Sequence, residues 1–208
     1  MLKIVRASVL ALSPLLASAS FAAPDVDATR LLHERLKVAP VLQGAFEQTK
    51  TLAGFRNPLV SRGEFLVARG QGVWWHTQQP FESTLVVTRT RLFTRNADGS
   101  ASSLMDTQAE PGLRQVNELI FSMLAADPDA LADKFTLAAQ AVGATGWTLT
   151  LTPRDPDVAR FLVRAVLAGD RDVQTVRIEQ ARGDATLIRF SRQVPSAALT
   201  PEQSARLQ

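Results

Sequence analysis

The chain has 208 residues, 23 Lys+Arg against 20 Asp+Glu, and no cysteine. A balance this even, with no run of basic residues, leaves no electrostatic footprint for nucleic acid. The lack of cysteine excludes disulfides and thiolate metal sites.

The opening stretch MLKIVRASVLALSPLLASASFAA carries Lys3 and Arg6, then an apolar run over residues 7–17, then small residues. That is the layout of a secretory signal peptide. Ser20 and Ala22 suit the small-residue positions, so cleavage is expected after Ala22. The run is broken by Pro14 and is short for a bilayer-spanning helix, which makes a retained anchor the weaker alternative. No cysteine follows it, so the chain is not itself a lipoprotein. Residues 23–208 remain, 186 in number, enough for a single domain with a sizeable core. Without Lys3 and Arg6 the balance is 21 basic against 20 acidic, a net of +1, so the high pI says little about partners. No later stretch approaches 18 consecutive apolar residues. The expected location is the periplasm of a Gram-negative cell.

Residues 25–38 (DVDATRLLHERLKV) read as an amphipathic helix. Asp27 is placed to cap it, Ala28, Leu32, Leu36 and Ala39 share one face, and Pro40 ends it. Residues 41–52 read as a strand containing Phe46 and Gln48, followed by a loop at 54–58. Two strands follow, 62–69 and 71–78, joined through Gly70 and Gly72 and stopped by Pro80. Residues 83–89 and 91–94 are further strands, and NADGS at 96–100 is a turn.

The pattern then changes. Over 112–126, Val116, Leu119, Ile120, Met123 and Leu124 fall at helical spacing, and 127–132 starts a second short helix. Strand character resumes at 134–141 and 146–152, where Trp147, Leu149 and Leu151 alternate. Residues 158–168 fit either state and are taken as a strand, because their neighbours form a meander. Residues 172–180 and 185–192 make a hairpin around Arg182-Gly183-Asp184. The tail, 194–208, is polar, contains proline and reads as partly frayed. No βαβ alternation occurs. The fold class is therefore α+β, mainly β, with a curved antiparallel sheet covered by helices.

Chemistry is sparse. His33 and His76 are far apart and lack metal-ligand spacing. No G-x-S-x-G occurs. Asp155 and Asp157, flanking Pro156, read as a solvated turn, and GATG at 143–146 lacks the lysine of a phosphate loop. Trp74 and Trp75 must face opposite sides of a strand, with Trp75 inside. One oddity stands out. Phe65, Val67, Arg69, Val73 and Trp75 share one parity, so an arginine sits in an apolar row, where an unpaired charge would be costly.

Those residues carry a resemblance. Ser61-Arg62-Gly63, Phe65, Val67, Arg69, Trp75-His76, Gln79-Pro80, Glu82-Ser83 and Leu85-Val86 stand in the order seen in the LolA family of periplasmic outer-membrane lipoprotein carriers. Upstream, Leu32, Arg35-Leu36, Ala45-Phe46 and Gln48 resemble the family's first helix and Phe-x-Gln strand, and the hairpin near 176–190 also fits. The resemblance implies an unclosed half-barrel of about eleven strands with helical lid elements over an apolar cavity. It implies a carrier, not an enzyme, with no cofactor and no metal. That carrier takes acyl chains of lipoproteins from an inner-membrane lipoprotein-releasing transporter to an outer-membrane acceptor, and is a monomer. Arg69 matches the family's lid latch. Phe46, Phe65, Val67, Val73, Trp75, Leu85 and Val87 match or neighbour its inner-face lining. Leu119, Ile120, Met123 and Leu124 are added here as lid candidates, since methionine adapts to varied chains.

Two departures are visible. Gly70 replaces the proline usual after the arginine, and the ending PSAALTPEQSARLQ does not match the family's extra C-terminal strand. They point to an alternative, a specialised LolA-like carrier of a lipid or of a lipid-linked pigment such as an aryl polyene ester. A lipoprotein-sensing regulatory module and a lipid-modifying enzyme are the weaker alternatives.

Overall fold

The computed structural model describes residues 28–88, 91–96, 101–106 and 128–208. Eleven strands form one sheet: β1 (Val41–Thr51), β2 (Leu59–Ala68), β3 (Gly72–Gln79), β4 (Ser83–Thr88), β5 (Arg91–Asn96), β6 (Ala101–Asp106), β7 (Phe135–Val142), β8 (Gly146–Pro153), β9 (Leu162–Gly169), β10 (Val173–Gln180) and β11 (Ala185–Ser196). Their order is β6-β5-β4-β3-β2-β1-β11-β10-β9-β8-β7, with every described pair antiparallel. Two meanders thus meet where the last strand pairs with the first, Val41 opposite Ser196 and Thr51 opposite Ala185. The sheet ends at β6 and β7 and does not close. This is the unclosed, mainly β half-barrel expected from the sequence.

Four helices accompany the sheet among the described residues: α1 (Ala28–Arg35), α2 (Pro128–Lys134), α3 (Pro156–Ala159) and α4 (Pro201–Arg206). Helix α1 presents Ala28, Leu31 and Leu32 inward and packs on β7, β8 and α2. The face it covers is called the inner face here. One continuous core lies there, from Leu32 and Leu36 through Leu131, Phe135, Trp147, Leu149 and Leu151 to the strands of the first meander. Strand alternation sends the other parity outward, where Val41, Leu66, Ala68, Val86 and Phe93 form a second, smaller cluster.

The structure corrects four details. Strand β6 occupies 101–106, where no strand was expected. The stretch 158–168 divides into the end of α3 and β9, because the Asp155 carboxylate accepts the Asp157 N–H at 2.8 Å and Pro156 opens the turn. Strand β2 ends at Ala68, one residue before Arg69. The tail is not frayed, since β11 runs to Ser196 and α4 follows. Thr200 caps α4 through the Gln203 N–H, and the Gln203 side chain returns the bond to Thr200, a complete capping box. Leu207 then enters the outer cluster at 8% exposure. The expected helix at 112–126 and the signal peptide lie outside the described residues.

Candidate functional site

Phe46 on β1, Phe65 and Val67 on β2, Val73 and Trp75 on β3, and Leu85 and Val87 on β4 all join the inner-face cluster. Register explains it: Phe65 pairs with Trp75, Val67 with Val73, Trp75 with Leu85 and Val73 with Val87. Phe46, Phe65, Val67, Val73 and Val87 are buried, whereas Trp75 and Leu85 are half-buried. Leu119, Ile120, Met123 and Leu124 lie outside the described residues.

The centre of this face is aromatic. Phe46 stacks on Trp75 at 3.8 Å, Phe65 meets Phe190 edge-on at 5.0 Å, and Trp75 meets Phe190 at 6.1 Å. Two glycines make the room. Phe46 lies opposite Gly63, and Phe65 lies opposite Gly44, in one strand pair. A side chain at Gly44 would come within 2.9 Å of the Phe65 ring. Rings laid over cross-strand glycines cover backbone that has no side chain of its own. Phe190 was not among the residues expected from the sequence. Its parity on β11 is readable, but its place depends on the pairing of the last strand with the first, which local pattern does not encode.

Helix α1 is held by groups at the far end of β7 and β8. The Arg35 guanidinium donates to the Gly146 carbonyl, and to the Gly143 carbonyl at 3.4 Å. The Lys37 N–H donates to the Arg171 carbonyl at 2.7 Å, and the Trp147 indole N–H to that of Asp170 at 2.6 Å. Arg69 stands in the β2–β3 turn and is half-buried. Its N–H donates to the Pro40 carbonyl at 2.9 Å, tying that turn to the link between α1 and β1. Gly70, at φ +69°, makes the turn possible.

The outer face carries a more polar recess beside its small apolar cluster. A depression of about 290 Å³ is lined by Gln43, Glu64, Trp74, Arg192 and Arg206, with Gly44 and Phe65. Trp74 faces this side, as expected. The Arg206 guanidinium lies over its ring at 4.8 Å, and His76 stacks beside it at 5.2 Å. His76 Nδ1 bonds Thr84 Oγ1 at 2.9 Å, while His33 Nε2 approaches Asp129 at 3.4 Å. The two imidazoles serve separate surface contacts. Further along, Glu179 takes hydrogen bonds from Arg164 and Arg177, at 2.7 and 3.1 Å, and these hold its carboxyl below the usual range. Burial, with Asp170 adding to it, pushes the Asp172 carboxyl up.

A half-barrel with an apolar aromatic inner face matches a known family over most of its length. The family model for the outer membrane lipoprotein carrier protein LolA matches residues 38–203. The chain belongs to the LolA family. The LolA match takes in all eleven strands and the start of α4, and begins just after α1. An outer-membrane lipoprotein carrier protein of Alcanivorax borkumensis is 26% identical over 164 residues, 79% of this chain and 76% of that one. Among solved structures, a LolA superfamily protein of Nitrosomonas europaea aligns with a TM-score of 0.48 at 10% identity, covering 84% of this chain and 94% of that one. The MucA/MucB complex of Pseudomonas aeruginosa aligns with a TM-score of 0.49 at 19% identity, covering 88% of this chain and 63% of that one.

Proposed function

We propose that this protein is a periplasmic carrier that holds acyl chains of lipoproteins on its inner face and ferries them from inner to outer membrane. The observation that carries the reading is the run of four rings, Trp75, Phe46, Phe65 and Phe190, across the centre of that face in a LolA-family chain. Phe46, Phe65, Val67, Val73, Trp75, Leu85 and Val87 line the site in this reading, and Leu119, Ile120, Met123 and Leu124 supply further lid contacts. Aromatic and aliphatic surfaces take alkyl chains without demanding directional bonds, so cargo is held and not transformed. Arg69 acts as the latch between the β2–β3 turn and the lid. The chain works as one unit, 23–208, after cleavage behind Ala22. It meets an inner-membrane lipoprotein-releasing transporter and an outer-membrane acceptor in turn.

A second reading is favoured by the β2–β3 turn. Gly70 follows Arg69 at φ +69°, where the family resemblance implies proline. Such a departure fits a specialised carrier of one lipid or lipid-linked pigment.

Native mass spectrometry of the protein purified from its own cell envelope, with lipid extraction, tests both. Bound lipoprotein supports the general carrier, and a bound free lipid or polyene ester supports the specialised one. Protein that neither carries an acylated molecule nor takes up a fluorescent acyl probe refutes both.

A further inference from the structure

Strand β11 carries an irregularity that the carrier reading does not use. Gln43 pairs with Val194 and Ala45 with Ser191, so Arg192 and Gln193 together stand opposite Gly44. That is a β-bulge with Arg192 in its first position. Arg192 has φ +52° and is the only residue other than glycine with positive φ among those described. A left-handed first position of a bulge favours glycine, because a side chain is strained there. An arginine holds it here.

The bulge changes where that arginine goes. Phe190 faces inward and Ser191 outward, so plain alternation would send Arg192 to the inner face. The extra residue turns it outward, where it lines two adjoining recesses. Gln193 anchors the bulge, donating through Nε2 to the Val173 carbonyl at 2.9 Å. The larger recess, about 510 Å³, opens over the small residue Ala45. Arg189, Ser191 and Arg192 line it from β11, and Arg62 and Gln78 from β2 and β3.

Its charge is positive with every carboxylate counted as ionised. Three guanidinium groups, of Arg62, Arg189 and Arg192, face one carboxylate, Glu47, which already pairs with Arg62 at 2.8 Å. The adjoining recess adds Arg206 and Glu64, with Glu202 paired to Arg206 at 2.6 Å, so the two recesses together hold four cations against three acids. Arg189 and Arg192 are exposed and have no ion-pair partner among the described residues. Two planar donor forks flanking a hydroxyl suit an oxyanion. The Gln78 amide lies across the recess, and donors from more than one direction fit a tetrahedral group better than a flat carboxylate. The recess is far larger than a bare phosphate ion, so the anion is one end of a larger molecule.

We propose that this outer recess binds a phosphate ester, with Arg189, Ser191 and Arg192 holding the phosphate from β11 and Gln78 closing on it from β3. The site lies on the face opposite the aromatic centre and does not depend on what that centre holds.

Isothermal titration calorimetry of the exported protein tests it. Glucose 1-phosphate serves as a soluble ester, and dihexanoyl phosphatidic acid below its micelle concentration as a lipid one. At least one should bind roughly tenfold or more tighter than glucose, which lacks the charge, and the tighter of the two identifies the source. Arg192→Gly separates binding from structure. Glycine suits a positive φ, so the urea midpoint should hold or rise, while affinity for the ester should fall roughly tenfold or more with the loss of a charged donor. Arg189→Gln should weaken binding to a similar degree, and keeps the test sound if the bulge variant folds poorly. Arg192→Lys should weaken it less than glycine does, since it keeps the charge and loses the fork. Acyl-probe uptake should be unchanged in every variant, so a failure here leaves the carrier reading standing. Wild-type protein that binds neither ester, or binds glucose as tightly, overturns the proposal. So does ester binding that survives both Arg192→Gly and Arg189→Gln.

Discussion

Phe46 and Trp75 stack at 3.8 Å although a whole strand separates them. The residue between them is Gly63, which pairs with Phe46 on one side and with Thr77 on the other. Its missing side chain lets rings from β1 and β3 meet above β2. A methyl group at Gly63 would collide with the His76 carbonyl oxygen, a backbone atom that cannot swing away. Gly63→Ala should therefore lower stability by about 1–3 kcal/mol, the range for overpacking a tight site. Urea unfolding monitored by far-UV circular dichroism measures it. An unchanged midpoint would show that β3 shifts freely.

Truncating one ring tests the aromatic centre. Phe46 is 3% exposed, and Phe46→Ala is expected to cost about 3–5 kcal/mol by leaving a cavity. A double-mutant cycle with Trp75→Leu isolates the stack itself, for which about 0.5–1.5 kcal/mol of coupling is expected. Additive single effects would mean that the two rings contribute only their separate burial.

Arg35 fixes α1 to the β7–β8 turn through two carbonyl groups. Arg35→Ala should release the helix end and cost about 1–3 kcal/mol, because the carbonyls lose a charged donor. Hydrogen exchange gives the sharper reading. Amides of α1 should exchange faster, while those of β1 and β11 keep their protection. Lysine should rescue only partly, since it lacks the planar fork that spans two acceptors.

Gln203 has two duties at the chain's end. It closes the capping box with Thr200, and its Nε2 donates to Gln43 Oε1 on β1 at 2.8 Å. Gln203→Ala should cost about 1–2 kcal/mol, combining a lost cap partner with the loss of the bond to half-buried Gln43. The Trp74 environment should change with it, because Arg206 rides on the same helix. Near-UV circular dichroism should therefore report the change. A variant with native stability and native Trp74 signal would place α4 outside the cooperative unit.

Glu179 links stability to pH. Hydrogen bonds from Arg164 and then Arg177 depress its folded carboxyl pKa. A depressed carboxyl stabilises the fold above its unfolded value, near 4.5, and that contribution fades as pH falls through the folded value. The gap in urea midpoint between wild type and Glu179→Gln should thus be larger at pH 7 than at pH 3. Glu179 is half-buried and its two guanidinium partners are exposed, so the gap should also shrink in high salt. A gap that widens in acid would contradict the assignment.

The sequence shows most of the sheet because the strands alternate. Val67, Val73, Trp75 and Val87 declare their face by parity alone, and Gly183 and Pro80 mark turns. Local pattern fails where the decisive partner is distant. Phe190 belongs to the aromatic centre only because β11 returns to β1. Arg35 anchors α1 only because the β7–β8 turn comes back beneath it, 108 positions along the chain. Arg69 shared the parity of a strand, yet Gly70 bends the chain first. The tail carries a signal of its own. Thr200 and Gln203 spell a capping box, and the tail's polar composition masks Leu207, which the outer face buries.

The pairing of β11 with β1 also sets when folding can finish. Strands β1 to β6 can zip together as soon as they are made, but β1 keeps a bare flank until the final strand arrives. A chain released N-terminus first thus carries an unsatisfied seam through nearly its whole synthesis, and the core cannot be sealed by any early piece. Premature, half-length folding is disfavoured by topology alone, so the last strand to be made is also the one that commits the whole chain.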